Sequence, residues 1–170
     1  ASMALVHEEV YHSKDMSGID LGQYGQKLVL RLLSSFGRGG VTLDVELAPL
    51  SVSLDTAIPC ALILNELVTN ACKHAFADRE AGRLFLGVGL RDGQVVLRVE
   101  DDGPGLPEGF TPGGKGTLGM LLIDRLAGQL RGSFSTDQGR LGGAAFSISF
   151  PFLGEQEQTT GLQSSASGTA

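Results

Sequence analysis

Tryptophan is absent from the chain, and cysteine, tyrosine and histidine are scarce, at two, two and three residues of 170. Two cysteines build no disulfide framework. Cys60 and Cys72 stand twelve residues apart on one expected helix, too far along its axis to pair with each other. They read as small buried core residues of a reduced, cytoplasmic protein. The histidines, at positions 7, 12 and 74, give no ligand cluster at zinc spacing. Positive charge is short as well: 13 Lys and Arg against 19 Asp and Glu leave a formal net charge of −6. No basic stripe is available to hold nucleic-acid phosphates, so a nucleic-acid partner is not expected. No run reaches the ~20 apolar residues of a membrane span, and no signal-peptide core opens the chain. No internal repeat is visible. What remains, 42% hydrophobic and 19% charged, is ordinary for one soluble domain with a substantial core.

The chemistry gathers in Ile63 to Phe76, ILNELVTNACKHAF. At about 100° per residue, Glu66, Asn70, Lys73 and His74 share one side of a helix, and Leu64, Val68, Ala71 and Ala75 the other. A plain solvated face mixes long flexible charges. Here a carboxylate, a carboxamide and an ammonium converge on one small volume. Asn70 offers a carbonyl oxygen to a hard cation, Lys73 a positive charge and Glu66 a proton acceptor, a set suited to an anionic, metal-bound ligand.

Residues 3–12 carry a helical apolar stripe, Leu5, Val6 and Val10, and begin in mid-pattern without an N-cap; the tail of a longer helix is expected. Asp20 caps a helix from Leu21 to Phe36, stopped by Gly37, Gly39 and Gly40. Val41, Leu43, Val45 and Leu47 alternate as a half-buried strand, and residues 49–54 give a short second one. Asp55 or Thr56 can cap the motif helix, with Pro59 in its first turn. Leu84 to Leu90 and Val95 to Val99 form a hairpin through Asp92-Gly93, delivering Asp101 to the sheet edge beside the polar helix face. Gly103 to Lys115 holds five glycines and three prolines, too long for a mere connection, and reads as a mobile lid. Leu118, Leu121, Leu122 and Leu126 are expected to face inward on the next helix. Leu130 to Thr136 and Gly143 to Phe150 alternate as two last strands, and the polar residues beyond Phe152 read as a disordered tail. Helices in one layer and a mostly antiparallel, partly mixed sheet in the other make an α+β fold, a two-layer sandwich.

The order NELxxNAxKHAF, then Asp101-Asp102-Gly103-Pro104-Gly105 as DxGxG, then Gly116-Thr117-Leu118-Gly119 opening a helix, resembles the GHKL (Bergerat-fold) ATP-binding domains of histidine kinases, gyrase-type ATPases and Hsp90. The wording ALVHEEVY, IDL and ILNELVTNACKHAF is most similar to sensor histidine kinases of the HisKA_2 class, over roughly residues 3–151. Gly114 to Gly119 also satisfies GxGxxG. That fingerprint needs an apolar strand running into its first glycine, and Phe110-Thr111-Pro112-Gly113 is none. No Walker A sequence is present either.

The resemblance implies three segments: 1–19, the end of a dimerisation and phosphoacceptor helix with its linker; 20–152, an ATP-binding catalytic domain; and 153–170, the tail. It implies ATP and Mg2+ as cofactors. The partners would be the chain's own dimerisation domain and a response-regulator receiver domain. Asp101 would accept a hydrogen bond from the adenine amino group, with Gly103 and Gly105 letting the backbone pass under the purine. Gly116, Thr117, Leu118 and Gly119 would offer amides and a helix N-terminus to the phosphates. Asn70 would ligate Mg2+, Lys73 would act in catalysis by neutralising phosphate charge as well as binding the nucleotide, His74 would contact the nucleotide, and Glu66 would take the acid/base role. His7 sits where the resembling sequences carry a junction histidine without phosphate, so the chain alone is expected to bind ATP without phosphorylating itself.

Two departures stand out. Ala144 replaces the threonine of the family's Gly-Thr-x-Phe, and no clear phenylalanine box precedes the lid, although Phe110 can stand in. The absence of Trp argues against the related class built on a tryptophan motif. An anti-sigma-type serine kinase and a degenerate phosphotransfer scaffold of the same fold are the competing functions.

Overall fold

The computed structural model describes residues 18–110 and 117–153. The expected helix over 3–12 with His7, the far part of the lid with Gly116, and the tail from 154 lie outside the described residues.

Two short strands, β1 (Ile19–Asp20) and β3 (Ser51–Val52), pair antiparallel. Asp20 caps α1 (Leu21–Ser35) as expected, its Oδ1 accepting the Gln23 N–H at 2.9 Å. Gly37, at φ +66°, closes the helix: its N–H reaches the Ser34 carbonyl and the Arg38 N–H the Leu33 carbonyl. β2 (Gly40–Leu47) follows. Only part of its expected alternation is buried: Val41 is covered but Val45 is 38% exposed, because β2 is an edge strand with one neighbour.

The motif helix, α2 (Leu54–Asn70), begins earlier than expected. Ser53 is the N-cap residue, and its carbonyl accepts the Thr56 and Ala57 N–H groups. Pro59 therefore sits in the second turn, where it withholds a donor from Asp55. At Ala71 the helix widens into a π turn, Ala71–Ala75, closed by the Phe76 N–H on the Ala71 carbonyl at 3.0 Å. Cys60 and Cys72 are buried and free as read, and burial pushes the Cys60 thiol up to about 12.

β4 (Ala81–Arg91) and β5 (Gln94–Asp101) form the expected hairpin, with Asp92 at φ 51° and Gly93 at φ 75° in a two-residue turn matched to the strand twist. In α3 (Leu118–Gln129), Leu126 faces inward as expected, but it does so with Met120, Ile123 and Ala127. Leu118 is 83% exposed and Leu121 and Leu122 also face out. Both faces of this helix are apolar, so counting leucines placed three of the four wrongly. β6 (Ser133–Gln138) starts three residues later than expected, because Leu130, Arg131 and Gly132 are used in closing α3, with Arg131 at φ 56°. β7 (Ala144–Pro151) ends the described fold apart from Phe152 and Leu153.

The main sheet runs β2-β4-β5-β7-β6, with β2 parallel to β4 and the other pairs antiparallel. β5 is its central strand, so Asp101 lies at a strand end in mid-sheet and not at the sheet edge. Alternate residues build the face under the helices: Leu86, Val99 and Phe146 lie side by side, as do Val88, Leu97 and Ile148, all buried. The expected two-layer α+β sandwich is what forms.

The outward face carries a charge cluster. Arg98 donates to Glu100 at 2.6 Å and to Asp137 at 2.8 and 2.9 Å, and Arg140 lies over the Phe85 ring, 4.3 Å from its centroid. Burial would raise the Glu100 carboxyl, yet bonds from Arg98 and the Arg140 N–H outweigh it and hold it below the usual range; Arg98 does the same for Asp137. Carboxyls lowered in the fold add stability that is present above their unfolded pKa and lost as pH falls through the folded one. The raised Asp101 works the other way, favouring the fold while protonated. The three act in different windows, so the thermal midpoint should hold or rise slightly from neutral pH to about 4, where of these three carboxyls only Asp101 takes up its proton, and fall below it, where Glu100 and Asp137 are protonated. A midpoint that keeps rising below about pH 4 would contradict this.

Candidate functional site

Four pieces of the fold converge on one cavity of about 560 Å3: the π turn of α2, the loop after β5, the start of α3 and the start of β7. Asn70, Lys73, His74, Asp101, Gly105 and Thr117 line it, so six of the sequence-selected residues come together. Between them lie apolar surfaces from Leu106, Phe110, Met120 and Phe146, with Ala71, Ala75, Pro104, Pro107 and Ala144 completing the wall. Such a slot, mostly apolar with a few placed polar groups, suits a flat heteroaromatic ring bearing a charged tail.

Asp101 is 6% exposed. Its Oδ1 accepts the N–H of Gly103 at 2.9 Å and of Ala144 at 3.2 Å. Among the described residues no donor is bonded to Oδ2, which leaves one carboxylate oxygen for a ligand. Burial raises the carboxyl; the two amides and Arg79 pull it down and the Asp102 charge adds to the rise. Arg79 in turn clasps Asp102, donating to its carboxylate and its carbonyl at 2.8 Å each, and lies over the Phe76 ring.

The two glycines of DxGxG do different work. A Cβ on Gly103 would stand 2.5 Å from that of Ala75, so this glycine lets the loop press onto the π turn. Gly105 has open space around it but φ +84°, a backbone conformation that glycine adopts without cost. The close approach is thus protein against protein at Gly103, and Gly105 is conformational.

Asn70 lines the cavity with its Nδ2 buried and without a hydrogen-bond partner among the described residues. Rotating the carboxamide by 180° exchanges that donor for the carbonyl oxygen, so Asn70 can turn an acceptor to a cation. Among the described residues no group of three or more His, Cys, Asp or Glu could hold a metal ion. A hard cation here would therefore rest on Asn70 together with ligand oxygens and water, the way Mg2+ is commonly bound beside phosphates. The residues present fit that group. Lys73 and His74 are exposed and stand at the mouth, where a charged tail would leave the slot.

Besides Gly103, which does not line the cavity either, three selected residues are placed differently. Glu66 does not line the cavity: its Oε1 takes a long 3.5 Å bond from Asn65, and its Oε2 would lie 2.6 Å from a Cβ on Gly119. The carboxylate thus abuts the first turn of α3, where negative charge is favoured. Leu118 points to solvent, and Gly119 serves to let Glu66 approach. Thr117 is the N-cap residue of α3, and its side chain makes no capping bond.

Sequence reasoning missed the π turn and the arginine that supports it. Widening the helix changes which amide each carbonyl meets, and the Cys72 carbonyl accepts a bond from Arg38 Nη2 at 3.2 Å. It also missed most of the apolar wall. Pro104 lies within DxGxG and Leu106 and Pro107 follow it, so the demand of a flat ring for apolar cover could have found them.

Comparisons with known proteins bear on the family and the fold. The model of the histidine kinase-, DNA gyrase B- and HSP90-like ATPases matches residues 56–154, and a histidine kinase model, HisKA_2, matches residues 1–36. Blue-light-activated histidine kinase 2 of Erythrobacter litoralis (strain HTCC2594) is 30% identical over 142 residues, which cover 78% of this chain and 41% of that protein. Nitrate/nitrite sensor protein NarX of Escherichia coli (strain K12) is 32% identical over 110 residues, 65% of this chain and 17% of the relative. The chain therefore spans less than half the length of these relatives. Among solved structures, the histidine kinase domain of the Erythrobacter litoralis EL346 blue-light activated histidine kinase superposes with a TM-score of 0.74 at 27% identity, covering 94% of this chain and 74% of that one.

Proposed function

The chain belongs to the family of histidine kinase-, DNA gyrase B- and HSP90-like ATPases, and we propose that it acts as the ATP-binding catalytic domain of a two-component sensor histidine kinase. It transfers the γ-phosphoryl of ATP to a histidine of its own dimerisation domain, from which it passes to an aspartate of a response regulator. The observation that carries this reading is Asp101: a buried carboxylate, one oxygen pinned by two backbone amides, in the wall of an apolar slot. A carboxylate so placed accepts from adenine's amino group and faces guanine's carbonyl with the wrong partner.

The other groups follow from where the tail of the nucleotide must run. Lys73 neutralises phosphate charge at the mouth, and Thr117 offers its hydroxyl and the free amides of the first turn of α3. When bound, Mg2+ through Asn70 would spread the charge that develops on the transferring phosphoryl group. Glu66 lies one turn back along α2, against α3, and from there orients or accepts the proton of the incoming nucleophile once the phosphates fill the space beside Gly119.

Titrating this chain with ATP by calorimetry, with and without Mg2+, tests the site. Wild type should bind in both conditions, more tightly with the metal. Asn70→Ala should remove the metal-dependent gain, a loss of at least about tenfold, since even an outer-shell partner of a metal is worth that much. Unchanged Mg2+-dependent affinity in this variant would overturn the role of Asn70, and no binding at all would overturn the nucleotide site.

A further inference from the structure

Glu100 is fully buried on the sheet face away from the helices. Its Oε2 accepts the backbone N–H of Arg140 at 2.7 Å, and its Oε1 accepts Arg98 Nε at 2.6 Å and Arg140 Nε at 3.3 Å. Arg140 belongs to the link 139–143 between β6 and β7. That link is closed on itself by the Gly139 N–H on the Gly143 carbonyl and the Gly142 N–H on the Gly139 carbonyl, both at 3.0 Å. Its far end is held by the next residue of β5: the Gly143 N–H meets the Asp101 carbonyl, and the Ala144 N–H meets Asp101 Oδ1, both at 3.2 Å. Consecutive strand residues point to opposite faces, so Glu100 and Asp101 grip one short link from the two sides of the sheet.

We propose that Glu100 is a positioning residue for base recognition: by holding the Arg140 amide it keeps Ala144 N–H on Asp101 Oδ1 and so fixes Oδ2 as the acceptor for adenine. The inference rests on the adenine-pocket reading above. A carboxylate is suited to the task because three donors converge on its two oxygens and it brings no donor of its own. Glutamine at this position would turn an NH2 toward one of those donors. The link would then drift, and Asp101 with it.

The test compares ATP and GTP affinities of the chain by calorimetry. Glu100→Gln should weaken ATP about tenfold and leave GTP nearly unchanged, the scale of one misdirected charge-assisted hydrogen bond. Arg140→Pro, which removes the link's N–H together with the Arg140 side chain and spares the Glu100 carboxylate, should reduce the GTP-to-ATP ratio of dissociation constants in the same way, whereas Arg140→Ala, which loses the same side chain but keeps the N–H, should keep the wild-type ratio; this pair keeps the test alive if Glu100→Gln fails to fold. Asp137→Asn breaks the same ion cluster at its exposed end without touching the link, and should keep the wild-type ratio. A wild-type ratio in a folded Glu100→Gln or Arg140→Pro variant overturns the proposal. So does a ratio shifted equally by Asp137→Asn, since general loosening of the face would then explain it. Absence of ATP binding by the wild type is a different result, which removes the pocket itself.

Discussion

Replacing Gly143 with alanine is expected to abolish nucleotide binding and to destabilise the fold by about 3 kcal/mol, at the upper end of overpacking costs. A Cβ at Gly143 would meet Asp101 Oδ1, stand 2.5 Å from the Asp101 carbonyl oxygen and 2.6 Å from the Gly103 nitrogen. None of these can retreat freely. Asp101 ends the central strand, its Oδ1 holds two amides and its carbonyl a third. Making room for one methyl group therefore breaks the set of bonds that aims the carboxylate. Gly89→Ala is the control, since a Cβ there meets nothing within 4 Å. It should shift stability by no more than about 0.5 kcal/mol, as ordinary surface changes do. Thermal melts and ATP titrations of the two variants decide the matter; wild-type affinity in Gly143→Ala would remove Asp101 from the binding site.

The contrast between these two glycines shows what could be read from the sequence and what could not. Signals confined to a few neighbours were legible: Asp20 as a cap, Asp92-Gly93 as a turn, and Val95, Leu97 and Val99 as one buried face. Each depends on backbone geometry within one turn or one strand. Asn70, on the polar face of α2, was legible for the same reason. Beyond it the π turn replaces the 100° step, and Lys73 and His74 reach the cavity mouth on a different helix from the one counted.

What failed needed partners far along the chain. Glu66 was assigned to the cavity by its helical phase, but its position is set by Gly119, 53 residues on, which has no side chain to keep it away. The inward face of α3 was misjudged because leucines on both faces satisfy the same period, and only the seat beneath α2 and β7 chooses between them. Val45 was read as half-buried from alternation alone, and its exposure follows from strand order. Glu100 gave no signal at all. Its weight comes from an amide 40 residues away.

Asp101→Asn should lower ATP affinity about ten- to a hundredfold, the range for losing a hydrogen bond to a charged group, while leaving stability equal to wild type or higher. Asparagine keeps an oxygen for the Gly103 and Ala144 amides but sets an NH2 where adenine presents its own amino donor. The same exchange offers guanine's carbonyl a donor, so GTP should lose less than ATP or gain. Stability should not suffer because the carboxyl is raised by burial, which means the charged form is disfavoured in the fold at neutral pH. The pH dependence has a definite sign. Binding needs the carboxylate, so wild-type ATP affinity should fall as pH drops through the raised Asp101 value, beginning above the ordinary aspartate pKa of about 3.9. The asparagine variant should lack that limb. Calorimetry across this range, paired with melting of both proteins, separates the outcomes: a variant that binds ATP like wild type ends the adenine assignment, and one that loses binding only by unfolding reduces Asp101 to a structural aspartate.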